Sequence, residues 1–406
     1  MAARRGCNDS IEMAHHKDRK DDSLVTMAGR DPAAQHGIVN PPVYHASTVI
    51  FPTVADLDRA EADPFSGFYY ARHGNPTSFA LEDAVNALEG GHKTFALPSG
   101  LAAVTTALLA FLEAGDHLLM VDTAYGPTRK FCTSFLRRID VETTFYDPCC
   151  GAGIADLMRD NTKVVYVESP GSQTFEVQDL PAIAAAAHSA GAIVITDNTW
   201  SGGVYCKPLA LGADVSLQAA TKYLVGHSDA MLGTVTTIEA CAKPVRMSKR
   251  YLGMSVAPDD CYLGLRGLRT LSVRLARHQE TGLKLAHWLT DRPEVDRVLH
   301  PALPDHPGHD IWRRDFTGAS GLFAMVLNPC PRAALAAMLD DLEMYGMGYS
   351  WGGFESLILP NEPENNRTAT SWDGSRPCVR IHAGLEDPDE LIADLERGFD
   401  RLRAAA

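Results

Sequence analysis

The sequence predicts an α/β protein with a mostly parallel central sheet covered by helices, followed by a smaller α+β C-terminal domain. Three observations lead there. After residue 90, short β-branched runs alternate with Ala- and Leu-rich runs of helical length, the pattern of βαβ units whose strands are buried on both faces. From about Leu268 the texture changes to one long helical segment, a loop rich in Pro, His and Gly, and an apolar strand. The chain has 406 residues, 45% of them hydrophobic, ample for a large core shared by two or three domains.

The first 23 residues are polar, with early arginines and no apolar segment behind them. They read as a disordered tail and not as a secretory signal. Strands are expected at Thr94–Leu97, His117–Asp122, Lys163–Glu168, Ala192–Asp197 and Asp214–Gln218, with helices at Leu101–Glu113, Cys132–Arg138 and Leu180–Ala190 between them. The second part should comprise a helix over Thr270–Thr290, a strand at Val295–Leu299, a loop from His300 to Gly308, a strand at Gly321–Leu327 and an amphipathic helix over Asp389–Leu402. No internal repeat and no low-complexity linker interrupts this order.

A formal net charge of −14 makes nucleic acid and anionic lipid poor partners. No apolar run approaches the roughly 20 residues that cross a bilayer. The nine cysteines form no CxxC pair, and the adjacent Cys149 and Cys150 suit neither zinc nor an ordinary disulfide. Reduced thiols in the cytoplasm are the expectation.

In open parallel sheets, ligands sit beyond the carboxyl ends of the strands. Those ends carry Asp122 to Tyr125, Glu168 to Gly171, Asp197 to Trp200, and Thr221-Lys222. Pro98-Ser99-Gly100 joins a strand to a helix whose free N–H groups and dipole could take a phosphate, although an ordinary strand–helix turn has the same residues. Lys222 could likewise only reach to solvent, and Asp197 only cap a turn. Together, a phosphate cradle, an aspartate and a lysine make the set needed for pyridoxal phosphate. The lysine bonds the cofactor aldehyde, the aspartate pairs with the pyridinium nitrogen, and an aromatic such as Tyr125 stacks on the ring. A hydrolase triad in Gly226-His227-Ser228-Asp229 is disfavoured, because triads assemble from distant segments. His306 with His309, and His15-His16, read as solvated histidines and not as metal ligands.

The motifs "YYARHGNPT" (69–77), "ALPSGLAAV" (96–104), "DTAYGPT" (122–128), "VESPGS" (167–172), "DNTW" (197–200), "QAATKYLVGHSDAM" (218–231), "GLRTLSVRL" (267–275), "YSWGGFESL" (349–357) and "VRIHAGLED" (379–387) stand in this order. With them the chain resembles the Cys/Met-metabolism family of pyridoxal-phosphate enzymes from about Val43 to Leu402, nearest to the branch of the bacterial cystathionine β-lyases. The resemblance implies an aminotransferase-like fold type I with three parts: an N-terminal tail and intersubunit segment (1–74), a cofactor-binding domain (75–269) and a C-terminal domain (270–406). It implies a cytoplasmic homotetramer built as a dimer of active dimers, acting on a small amino-acid thioether.

Carried over by resemblance, Lys222 is similar to the Schiff-base lysine, Asp197 to the partner of the pyridine nitrogen and Tyr125 to the stacking tyrosine. Gly100 and Leu101 would give backbone N–H groups to the phosphate, and Thr221 a hydroxyl. Tyr70 and Arg72 resemble the pair that reaches the phosphate from a neighbouring subunit. Arg380 resembles the clamp on the substrate α-carboxylate, a task that suits a bidentate fork. Ser350 would hold the lysine or the substrate. Trp351 favours β-lyases over γ-lyases and γ-synthases, and Ala219, three residues before the lysine, agrees. Two positions depart from the pattern. His73 stands where an arginine is usual and Lys130 where an acid is usual, both near the expected distal end of cystathionine. A γ-lyase or γ-replacement synthase is the rival activity, and a non-catalytic module that keeps the fold is a third reading.

Overall fold

The computed structural model describes residues 19–63 and 67–406. The first of its two sheets has seven strands: β1 (Lys93–Leu97), β2 (His117–Val121), β3 (Glu142–Tyr146), β4 (Thr162–Glu168), β5 (Ile193–Asp197), β6 (Val215–Gln218) and β7 (Gly233–Thr237). Their order is β1-β7-β6-β5-β4-β2-β3. β3, β2, β4, β5 and β6 run parallel, while β7 lies antiparallel to both β6 and β1. Apolar side chains of β2, β4, β5 and β6 meet helices Gly100–Leu109 and Leu180–Ser189 in one large cluster. That two-sided burial is why these strands read as continuous hydrophobic runs.

A smaller antiparallel sheet has the order β10-β11-β9-β8, built from β8 (Val295–Leu299), β9 (Leu322–Leu327), β10 (Leu357–Asn361) and β11 (Cys378–His382). Helices Leu271–Thr290, Arg332–Leu339 and Pro388–Ala405 cover it around a second core. Trp351 packs against two further clusters, one containing Tyr223 and the other Trp200.

Several elements differ from expectation for local reasons. β3 is a half-buried edge strand and has no apolar run. β7 is fully buried but reads GTVTT, so its threonines disguise it. β10 ends in Pro-Asn at the sheet edge, and β11 carries Arg380 and His382. Helix Pro76–Glu89 begins at Asn75, whose side chain forms a capping box with Ser78, and stops at Gly90 in the left-handed region. The expected helix over Leu101–Glu113 runs from Gly100 to Leu109, and that over Cys132–Arg138 is a π-helical turn, Phe131–Leu136, continuing helix Gly126–Lys130.

Most of the expected tail, residues 1–18 with His15-His16, lies outside the described residues. Its last part is not disordered. Asp21–Met27 is a helix with Leu24 and Val25 buried, tied down by Lys207 on Asp21 (3.0 Å) and by Arg269 on the Val25 carbonyl (2.9 Å).

Candidate active site

β6 ends at Gln218, so Lys222 does not close the strand as expected. It stands four residues on, in the turn towards β7. The Thr221 N–H donates to the Leu232 carbonyl (2.9 Å), and the Gly226 N–H to that of Lys222 (2.8 Å). Gly226 has φ +71°, and a Cβ there would stand 1.9 Å from Arg274 Nη1. The glycine leaves room for the buried Arg274 guanidinium, which donates to the Tyr223 and Gly267 carbonyls, both at 2.7 Å. Ser228 Oγ then donates to Glu355 (2.6 Å), joining this turn to the loop that begins at Ser350. Gly226-His227-Ser228-Asp229 is therefore a brace for the lysine turn.

Lys222 Nζ donates to Ser350 Oγ at 2.6 Å and lies 5.4 Å from the centre of the Trp351 ring. Burial, then the nearby Arg380, push its pKa down to about 8, while Asp197 opposes the shift. Ser350 has φ +84°, strained for a residue with a side chain, and its carbonyl accepts from Arg380 Nη2 at 3.0 Å. Arg380 sits mid-sheet on β11, between Leu359 of β10 and Ala324 of β9. Burial lowers its pKa to about 10, which leaves it charged at neutral pH. One residue, Ser350, thus touches both cations.

Asp197 and Glu168 are in-register neighbours at the ends of β5 and β4. Burial raises both carboxyls. Thr199 opposes this at Asp197, donating its N–H (2.9 Å) and hydroxyl (2.5 Å) to Oδ1. Glu168 Oε2 accepts the Tyr125 N–H at 2.8 Å, and the Tyr125 ring is 48% exposed above the strand ends. Gly100 packs so closely on Ala219 that a Cβ would stand 2.4 Å from it, which brings the start of helix Gly100–Leu109 against the lysine turn. The Ala102 N–H of that helix is capped by Ser99, and no partner is found for the Gly100 and Leu101 N–H groups among the described residues. The Thr221 hydroxyl accepts from the Leu232 N–H (2.8 Å) and donates to its carbonyl (3.1 Å).

Tyr70, Arg72 and His73 stand apart from this cluster. Arg72 donates to the Arg250 carbonyl (3.1 Å) and its guanidinium lies 6.0 Å from the Tyr70 ring centre. Burial and then Arg72 lower the His73 pKa. A cavity of about 300 Å³ opens beside Tyr70, Arg72 and Ser255. Lys130 is exposed at the end of helix Gly126–Lys130. One expectation fails outright: His306 is buried, not solvated, and burial holds its pKa down at about 4. His309 is half-buried, and no group of three metal-binding side chains occurs among the described residues. Eight of the cysteines are described, and all are free thiols.

Four residues near the site had no expected role. Arg274 and Glu168 lie inside the sequence motifs, but their bonds, to the Tyr223 carbonyl and the Tyr125 N–H, join segments far apart in sequence that no spacing reveals. Asp122 accepts N–H groups from Thr368 (3.0 Å), Ala369 (3.0 Å) and Thr370 (2.9 Å), two threonine hydroxyls, and Arg129 (3.0 Å). It thereby pins the β10–β11 connection to the first sheet. The fourth is His382.

Comparison with known proteins places these features in context. Residues 22–400 match the family described as Cys/Met metabolism PLP-dependent enzymes. Cystathionine β-lyase MetC of Escherichia coli is 47% identical over 95% of this chain and 99% of its own. The cystathionine β-lyase of Salmonella typhimurium is 45% identical over the same shares of the two chains. Among solved structures, a cystathionine γ-synthase of Xanthomonas oryzae, in complex with aminoacrylate and cysteine, superposes with a TM-score of 0.88. It is 30% identical, and the match covers 96% of this chain and 100% of that one.

Proposed function

We infer that this chain, which belongs to the Cys/Met metabolism PLP-dependent enzymes, is a carbon–sulfur β-lyase. It cleaves cystathionine, or a related cysteine S-conjugate, to a thiol, pyruvate and ammonia. The observation that carries the reading is the Ser350 contact with both Lys222 and Arg380 beside Trp351, since it sets an amine base next to a carboxylate fork.

The residues fit pyridoxal phosphate. Unpaired N–H groups of Gly100 and Leu101 at a helix start suit its phosphate, with Thr221 adjacent. Asp197 suits the ring nitrogen, the half-exposed Tyr125 the ring face, and Lys222 the aldehyde. Tyr70 and Arg72 of the partner subunit would complete the phosphate site. When bound, the cofactor supplies an electron sink for the pair left at Cα. Arg380 holds the α-carboxylate through its fork. Ser350 aims Lys222 Nζ, which as a neutral amine takes the Cα proton. The thiolate leaves Cβ as the Cα–Cβ double bond forms, and the released enamine hydrolyses to pyruvate and ammonia. A panel of cysteine S-conjugates tests the activity. Pyruvate is expected as product, and 2-oxobutyrate would instead identify a γ-lyase.

The free thiols accord with a cytoplasmic enzyme, and the family resemblance suggests a homotetramer acting in transsulfuration and methionine biosynthesis. If active sites are shared, mixing inactive Lys222→Ala with inactive Arg72→Ala subunits restores activity through hybrid sites. No recovery despite verified subunit exchange overturns the shared site.

His73 and Lys130 bear on the substrate. If they meet its distal amino-acid head, a missing charge-assisted contact costs about 1.5 to 3 kcal/mol, roughly 10- to 150-fold. The double variant His73→Arg with Lys130→Asp should raise kcat/KM for cystathionine by a factor in that range and leave S-methylcysteine unaffected. A wild type that already strongly prefers cystathionine, with a silent double variant, removes both residues from the substrate site.

A further inference from the structure

We propose that His382 is a positioning residue for the reaction, its imidazole fixing the Ser350–Gly353 loop and through it the Ser350 contacts with Lys222 and Arg380. The inference rests on the lyase reading for what those contacts do, although the geometry stands by itself.

The loop is a strained one. Both Ser350 and Gly352 have φ +84°. Gly352 packs directly under the lysine, so that a Cβ on it would stand 2.9 Å from the Lys222 carbonyl carbon and from the Tyr223 nitrogen. A loop that holds a residue with a side chain, Ser350, in left-handed backbone beside another turn needs an anchor that over-determines it. From the sheet side that anchor is His382. Its Nε2 accepts the Gly352 N–H at 3.1 Å, with the Gly353 carbonyl at 3.3 Å. His382 lies two residues beyond Arg380 on β11, on the same face of the strand. It is 1% exposed and packs against Tyr223 and His278, with ring centres 6.0 and 5.1 Å away.

The hydrogen bonds assign the protons. A nitrogen that accepts the Gly352 N–H has its lone pair free, so the His382 proton sits on Nδ1. The opposite tautomer would donate to Gly353 over the longer distance and leave the Gly352 N–H orphaned. His278 donates through Nδ1 to the Ala383 carbonyl (2.7 Å), leaving its Nε2 as a buried acceptor without a partner. The buried His382 Nδ1 also has no partner. In the assigned state these two orphans are one donor and one acceptor. Burial and the neighbouring His278 hold the His382 pKa well below its usual value, so the ring keeps its acceptor at working pH.

The test uses cofactor-loaded enzyme and glycine, which has the amine and α-carboxylate of a substrate but no β-substituent to eliminate. Its binding is read as a change in the visible spectrum. His382→Leu leaves the Gly352 N–H unpaired and should weaken glycine binding and lower kcat/KM by roughly 5- to 150-fold. His382→Gln presents an amide oxygen near the Nε2 position and should restore both to within about twofold of wild type. Should the leucine variant fail to fold, His382→Asn, whose amide is too short to reach Gly352, takes its place with the same expected loss. The proposal is overturned if the leucine or asparagine variant binds glycine as wild type does, or if glutamine is as impaired as they are. A wild type that binds glycine but releases pyruvate from no thioether would refute the lyase reading while leaving the glycine comparison intact.

Discussion

Lys222→Ala should abolish turnover while leaving the fold at least as stable as wild type. Losing a positioned general base alone typically removes 10²- to 10⁴-fold, so a fall of about 10³-fold or more is expected, because the same amine also anchors the cofactor. Pyruvate release by purified protein measures it, and a rate near wild type refutes the assignment. Stability should not suffer, because the amine pays for its burial. Its pKa stands at about 8 against the usual 10.5, so the buried site disfavours the ammonium, and alanine removes that conflict. The sign of the pH effect follows. A depressed lysine pKa means that the neutral amine predominates above about 8 and falls tenfold per pH unit below it. Cofactor uptake by the cofactor-free protein, which needs the neutral amine, should slow in that proportion from pH 8 to 6. Uptake independent of pH across this interval would contradict it.

What the sequence makes legible follows from what local patterning can encode. β2, β4, β5 and β6 are readable because burial on both faces leaves continuous apolar runs. β7 is not, since GTVTT hides a buried strand behind hydroxyls, one of which, that of Thr236, meets the Thr94 hydroxyl of β1 at 2.7 Å. β11 is lost for another reason: Arg380 and His382 break its apolar pattern because that strand serves the site. Strand-end chemistry is visible at Asp197 because the register of a parallel sheet puts it there. The bracing of the Lys222 turn by Arg274 is invisible, for Arg274 is 52 residues away and meets that turn only in the folded chain, while Ser350, 128 residues away, is reachable through the family resemblance alone. His306 misleads because Pro, His and Gly resemble a solvated loop, yet His306 turns inward and its Nδ1 accepts the Gly308 N–H at 3.1 Å.

Arg380→Ala is expected to impair the enzyme mainly through substrate binding. Removing one partner of a desolvated charge pair costs about 2 to 5 kcal/mol, most of it the penalty of stranding the other charge. Here the stranded charge is the substrate α-carboxylate, so kcat/KM should fall by roughly 30- to 5,000-fold, carried largely by KM. Arg380→Lys should recover only part of the loss. A lysine keeps the charge but gives up the two parallel N–H donors that fit a carboxylate, and it cannot also donate to the Ser350 carbonyl from the same geometry. The change also touches Lys222. Arg380 is the second cause of the low amine pKa, after burial, so the alanine variant should raise it. The pH below which cofactor uptake slows should therefore move upward from about 8. Two results together would dismiss Arg380 as the carboxylate clamp: a KM within about threefold of wild type in the alanine variant, and an unshifted midpoint. The pairing of these readouts follows from the single contact at Ser350, through which one loop holds both the carboxylate fork and the base.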